Sequence, residues 1–243
     1  MGLIDVSKFL NTRDLGGLPT GNGHAITHGV IYRTAALANA LPGICAEFAQ
    51  NDGRPNFIDL RNAAELGDAQ AASAGGVVVH RHPIADEACT KRPPAERDEL
   101  YFVQQYTGML RSTLPAVRTL CMVIAAGGAP VVVGCRLGKD RTGVVVMILL
   151  RLLGVPEKRI AEDFGLTALA YATQPEWVTA YAAARGEDYH DVLRRCTLPS
   201  AVALRVLRHH QMSLPRLTEA AGIDDAVLGC VRKVMSSRES GTL

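Results

Sequence analysis

Cys135 and Arg141 bracket five residues, Arg136, Leu137, Gly138, Lys139 and Asp140, inside the stretch VVVGCRLGKDRTGVVV (131–146). Valines lead into the cysteine, and an apolar run resumes after the arginine. A loop of this length between a strand and a helix N-terminus can turn several backbone N–H groups toward one anion. The helix dipole adds positive potential at the same spot. Gly138 permits backbone geometry that a Cβ would hinder. Arg141 carries a planar fork that matches two phosphate oxygens, and Lys139 adds a mobile point charge. A thiol in such a field loses its proton more readily: free cysteine titrates near ~8.5, and helix N-termini with basic neighbours bring that to about 3.5–7.5. The chemistry implied is nucleophilic. A thiolate attacks the phosphorus of a phosphate ester, and water then hydrolyses the phosphocysteine. The arginine and the loop amides stabilise the equatorial charge in both steps.

The elements around this segment must hold it. APVVVGC (129–135) is a continuous apolar run, the signature of a strand covered on both faces. Thr142 to Leu153 reads as a helix, with Gly154 as its stop and Pro156 opening the next. Upstream, GVIYRTAAL (29–37) reads as a strand entering a helix, preceded by a turn-rich hairpin segment, GLPTGNGHAI. NFIDLR (56–61) is a short strand followed by a helix, NAAELGDAQAA, and GGVVVHRHPI (75–84) is a further strand. DEACTKRPPAERDEL (86–100) is polar and contains prolines, so it reads as a loop able to move. Residues 99–126 read as a long helix, with Gly108 and Pro115 as candidate breaks. Residues 156–237 read as several helices punctuated by Gly165, Pro175, Gly186, Pro199, Pro215 and Gly222. The fold class is therefore α/β, a central sheet flanked by helices with a helical C-terminal region. The expected organisation is a single domain, 1–243, with an α/β core over 1–155 and a helical region over 156–243 packed on it.

Composition narrows the partners. The chain has 243 residues, 48% hydrophobic, with a formal net charge of +2. That near-neutral balance gives no bulk attraction to nucleic acid or to a membrane surface, so any affinity for anions must be local. The longest apolar run, Val144 to Leu153, is interrupted by Arg151 and falls short of the ~20 residues a span needs. The N-terminus lacks the pattern of a secretory signal. These readings predict a cytoplasmic protein without a membrane span. The six cysteines, at 45, 89, 121, 135, 196 and 230, form no CxxC pair, and no histidine spacing suggests a ligand set, so neither metal nor other cofactor is expected. Five of the cysteines are expected to pack as small hydrophobes. Oligomeric state is not encoded in any of these features.

CRLGKDRTG resembles the C-x5-R loop of the protein tyrosine phosphatase superfamily. Its GKDRTG form is similar to that of bacterial tyrosine and dual-specificity phosphatases with some phosphoinositide activity. NTRDLGGLPTGNGHAITHGVIYRTAAL resembles that family's N-terminal signature. FIDLR, RHPI, LLGVPEKRIAEDFGLT and LTEAAGIDDAVLGCVRKVM fall in the order of its further segments, so the likeness covers most of the chain. The resemblance implies a phosphotyrosine-phosphatase-like fold without a metal. Cys135 would be the nucleophile, Arg141 the phosphate-binding arginine and Asp140 the general acid. Thr142 would hydrogen-bond the cysteine sulfur. Arg136, Leu137, Gly138, Lys139, Thr142 and Gly143 would form the substrate-binding loop. At one position the chain departs from the family, which has a histidine before the cysteine where Gly134 stands. The departure bears on how far Cys135 is activated and on the substrate, with Arg136 as a partial electrostatic substitute: Gly134 reads either as a loss of activation or as an adaptation of shape that makes room for a substrate or a neighbouring side chain.

Rival readings are a biosynthetic or metabolic phosphatase of a phosphorylated small molecule, such as a sugar or nucleoside phosphate, and a non-catalytic phosphate-binding module. A Walker A loop does not fit, because Val133 occupies its first glycine position and Asp140 follows the lysine. Arg13 and Asp14 fit either a functional role or a turn-fixing one. Arg33, Asp59 and Arg61 read as structural ion-pair partners. Should Asp140 prove structural, Asp86 and Asp98 are the alternative acids.

Overall fold

The computed structural model describes residues 9–21, 23–35, 55–66, 77–84, 93 and 96–238. Five strands, β1 (Arg13–Asp14), β3 (Ile31–Ala35), β4 (Asn56–Asp59), β5 (Val78–Arg81) and β6 (Val131–Cys135), form one sheet in the order β1-β3-β6-β4-β5. The β1–β3 pair is antiparallel and the other pairs are parallel. β6 is the central strand, and its five residues are all buried, as a continuous valine run covered on both faces requires. Its register sets Gly134 opposite Thr34 of β3 and Asp59 of β4. Two further short strands, β2 (His24–Ile26) and β7 (Ser236–Arg238), pair antiparallel. The turn-rich segment before β2 closes as a local hairpin, through a Pro19–Ala25 bridge and the backbone bonds from Thr20 N to His24 O at 2.7 Å and from Ile26 N to Leu18 O at 2.9 Å, and β2 also pairs with β7 from the far end of the chain.

Nine α-helices lie among the described residues: α1 (Ala63–Leu66), α2 (Glu99–Ala125), α3 (Asp140–Leu152), α4 (Glu157–Ala172), α5 (Pro175–Arg185), α6 (Tyr189–Cys196), α7 (Ser200–Leu207), α8 (Leu214–Ala221) and α9 (Asp225–Met235). α3 is buried almost all round, from Arg141 through Leu150, and packs along α2. It starts at Asp140, two residues before the sequence pattern suggests, so the loop's last residues already belong to the helix's first turn. α2 runs unbroken through Gly108 and Pro115. A proline in a helix interior costs about 3 kcal/mol, and here Met109, Leu110, Leu114, Val117, Leu120 and Ile124, all buried, stabilise the helix on both sides of it. Gly165 does not end α4; it lies inside it, where a Cβ would come within 2.5 Å of the Ser200 hydroxyl, so its role is the close approach of α7.

One apolar cluster joins Leu15, Ile31 and Val133 of the sheet region to Val146 of α3 and to Val202, Leu217 and Met235 of the last helices. A smaller cluster of Tyr171, Val178, Ala182, Val192 and Cys196 sits beside it, and Leu137 packs on its edge. Of the four described cysteines, Cys121, Cys135 and Cys196 are buried, whereas Cys230 is exposed and does not pack as expected. Cys45, Cys89 and Asp86 lie outside the described residues, as does the segment that was expected to form a helix after β3.

Candidate active site

β6 ends at Cys135, and the chain turns at once into a loop, 136–139, that delivers α3. The turn is made possible by Gly138, whose φ of +61° lies in the left-handed region. A Cβ there would stand 2.5 Å from the backbone oxygen of Thr34, so the loop lies directly on β3. Gly143 packs against the Phe164 ring, 3.4 Å from where a Cβ would be. Among the described residues, the N–H groups of residues 136–140 donate to no protein acceptor, while Cys135, Arg136, Leu137, Lys139, Asp140 and Arg141 line a cavity of about 710 Å³. The residues that carry four of these unpaired amides, Arg136, Leu137, Lys139 and Asp140, thus share one wall with the buried cysteine and a helix N-terminus.

The loop's carbonyls are occupied from behind. The Asn11 amide donates to both Leu137 O and Gly138 O at 3.1 Å. The Tyr171 hydroxyl donates to Leu137 O at 2.6 Å, and Arg33 donates to Gly138 O at 2.8 Å. Arg33 is fully buried and pairs with Asp163 at 2.6 Å, while Arg13 holds the other Asp163 oxygen at 2.8 Å and donates to Asn11 Oδ1 at 2.7 Å. Burial, with Arg13 beside it, lowers the Arg33 pKa to about 10, so it remains charged at neutral pH. For Asp163 burial acts upward, but Arg33 and Arg13 outweigh it and hold the carboxyl below its usual range.

Arg141 is buried and bound by Glu65 of α1, which takes Nη2 at 2.6 Å and also accepts from Nη1. Leu60 O accepts from Nη1 as well, at 3.2 Å. Burial pushes the Glu65 carboxyl up, and the hydrogen bonds and charge of Arg141 more than offset it, leaving the pKa lowered. Asp140 Oδ1 accepts from the Tyr106 hydroxyl at 2.6 Å and faces the Lys139 ammonium at 3.0 Å. Burial first, and then the carboxylate beside it, hold the Tyr106 phenol well above its usual range, so it stays a donor. Lys139 is turned into the protein: its ammonium donates to Arg195 O at 2.6 Å and sits 4.4 Å from the Phe102 ring centre. Thr142 is fully buried, and its hydroxyl has no hydrogen-bond partner among the described residues, the cysteine sulfur included. Gly134 is buried in the strand, its carbonyl accepting from Leu60 N at 3.0 Å.

The rest of the cavity comes from elements that the sequence pattern did not connect to it. Arg97, Arg185 and Arg195 line it, as do Tyr181 and Cys196. The Arg136 guanidinium lies over the Tyr181 ring at 5.2 Å. Burial pushes the Cys196 thiol up to about 11, so it stays protonated. Asp98 caps α2, accepting from Tyr101 N at 2.8 Å. Asp14 fixes a turn through Gly16 N, Gly29 N and His28 at 2.9–3.0 Å, while its neighbour Arg13 belongs to the network behind the loop. Asp59 and Arg61 form a local pair at 3.0 Å, as read from the sequence. No group of three or more metal-ligating side chains occurs among the described residues. No helix among them is long and apolar enough to cross a membrane.

A family model described as "Tyrosine phosphatase family" matches residues 4–238. A protein of Cupriavidus necator named "Putative tyrosine-protein phosphatase" is 27% identical over 175 residues. The match covers 63% of this chain and 59% of that relative's length.

Proposed function

The chain belongs to the tyrosine phosphatase family, and from that premise we propose that it hydrolyses phosphate monoesters with Cys135 as the nucleophile. The observation that carries this reading is the shared wall of the cavity: Cys135, Arg136, Leu137, Lys139 and Asp140, whose backbone N–H groups from 136 onward are unpaired, and Arg141. A phosphate seated there would receive the amides and the guanidinium on its equatorial oxygens, with the sulfur in line behind phosphorus. The thiolate attacks phosphorus, an S–P bond forms and the P–O bond to the leaving group breaks. Asp140 supplies the proton that the leaving oxygen takes. Both contacts to Asp140 converge on Oδ1, so Oδ2 is the oxygen to carry that proton. Water then attacks phosphorus, its proton passes to Asp140 and the S–P bond breaks, releasing phosphate and restoring the thiolate.

The cavity's volume of about 710 Å³ and its wall of Arg97, Arg136, Arg185 and Arg195 favour a second reading of the substrate, a small phosphorylated metabolite rather than a phosphoprotein. Turnover of p-nitrophenyl phosphate tests the chemistry. Cys135→Ser should abolish it while leaving the affinity for inorganic phosphate largely intact; Arg141→Ala should lose both. Sustained turnover by Cys135→Ser would refute the covalent mechanism. A dead wild-type enzyme that still binds phosphate would instead make the chain a binding module. A panel of phosphotyrosine peptides, phosphoinositides, sugar phosphates and nucleotides separates the substrate classes.

A further inference from the structure

We infer that Asn11 and Tyr171 are positioning residues for the phosphate cradle, forming with Arg33 a clamp that fixes the two consecutive loop carbonyls of Leu137 and Gly138. The inference rests on the phosphocysteine reading of the site and goes beyond it, because none of the three side chains lines the cavity.

Four hydrogen bonds from three side chains fall on two adjacent carbonyls. The donors come from three separate places: the segment before β1, β3 itself, and α4. A peptide plane is rigid, so fixing a carbonyl on one side fixes the N–H of the next residue on the other. Pinning Leu137 O orients the N–H of Gly138, and pinning Gly138 O orients that of Lys139. Released, those planes could rotate and present oxygen to the anion instead of N–H. The clamp therefore acts on the groups that must be in place before charge develops on the phosphoryl oxygens.

A second, independent observation marks Asn11. It is the one non-glycine residue with positive φ, +47°, among the described residues. Such a conformation is uncommon for a residue with a side chain and persists where its surroundings over-determine it. Here the surroundings do so: the side chain is buried, its amide bridges both carbonyls and its oxygen accepts from Arg13. Tyr171 is fully buried. Burial first, and then the nearby sulfurs of Cys196 and Cys135, raise its phenol pKa well above the usual range, so its hydroxyl remains a donor. Its ring packs on Trp177 at 5.3 Å, and Trp177 stacks on Tyr181 at 5.1 Å, a cavity-lining residue. The clamp is thereby joined through two ring contacts to a residue that lines the cavity.

The test uses Tyr171→Phe, which deletes one hydroxyl, and Asn11→Gly, which keeps the left-handed backbone and deletes both donors. For each, kcat and KM on p-nitrophenyl phosphate, the inhibition constant of orthovanadate and the melting temperature are measured beside Cys135→Ser. Loss of one buried hydrogen bond predicts a fall in kcat of about tenfold for Tyr171→Phe, and a larger fall for Asn11→Gly. KM should change little. The vanadate constant should rise by the same factor as kcat falls, because vanadate resembles the transition state. A purely structural role would lower the melting temperature and leave kcat per folded enzyme unchanged; that outcome, or unchanged vanadate inhibition, overturns the clamp. If Asn11→Gly does not fold, Tyr171→Phe alone decides. Wild-type kinetics in both with an inactive Cys135→Ser would refute the clamp and leave the covalent mechanism standing. Turnover by Cys135→Ser would refute the mechanism itself.

Discussion

Asp140 is held by two neighbours, the Tyr106 hydroxyl and the Lys139 ammonium, and the proposed chemistry needs it to give a proton away. Both neighbours sit on Oδ1, which separates the oxygen that is held from the oxygen that works. The separation makes a prediction. Asp140→Asn should slow alkyl phosphate esters, whose leaving oxygen needs a proton in the transition state, by about 10²–10⁴-fold. It should slow p-nitrophenyl phosphate far less, since that leaving group departs as a stable anion. Tyr106→Phe keeps the acid but frees its orientation, so it should show the same selectivity in weaker form. Rates of both ester classes for both variants are the measurement, and an equal loss on the two classes would make Asp140 structural. Asp98, the alternative in the described residues, is committed to capping α2.

At the scale of elements, the strand–loop–helix unit was legible because its chemistry lies in one contiguous segment. A valine run, a cysteine, a glycine and an arginine at fixed spacing describe a complete local object. What surrounds it was not legible. Glu65 reaches Arg141 across 76 residues, Tyr106 reaches Asp140 across 34 and Arg33 reaches Asp163 across 130. No local periodicity says which charge meets which, since that is set by how the elements stack. The same reason explains Gly165, which reads as a helix stop by itself and proves to be a contact once α7 is present. Gly138 was legible for the right reason, and its structure sharpens the expectation. Alanine there must adopt φ of +61° and drive a Cβ to within 2.5 Å of a backbone oxygen on β3. β3 is a buried strand and does not yield, so the loop must shift. A misplacement of about 1 Å in a catalytic constellation costs roughly 10²-fold. Gly138→Ala should therefore lose about that much kcat/KM while the far-ultraviolet circular dichroism of the folded protein is retained. Near-wild-type turnover would show that the cradle tolerates the move.

Over the whole molecule, Asp163 ties the first strands to the helical region, because Arg13 of β1 and Arg33 of β3 both close on one carboxylate of α4. Its pKa in the folded protein lies below the usual carboxylate range, the pull of the two arginines exceeding the push of burial. Glu65 is shifted in the same direction. A carboxyl whose pKa is depressed by folding contributes stability that is fully present above its unfolded value of about 3.9–4.3 and is lost as pH falls through the folded value. Stability should thus be flat in this respect from neutral pH to about 5 and fall steeply below about 4. Asp163→Asn removes the titration and leaves two arginines, one of them fully buried, without their counter-charge. Breaking a buried pair from one side costs about 3–5 kcal/mol. The variant should be less stable at pH 7 by about that amount, with a shallower decline into acid, so that the two curves converge as pH falls. Urea unfolding midpoints of both proteins between pH 7 and pH 3 measure this directly, and curves that stay parallel would show that the triad is not what acid breaks. Because Arg33 also holds Gly138 O, the same variant should lose turnover at pH 7 in the fraction that remains folded, coupling the stability of the sheet–helix junction to the shape of the phosphate cradle.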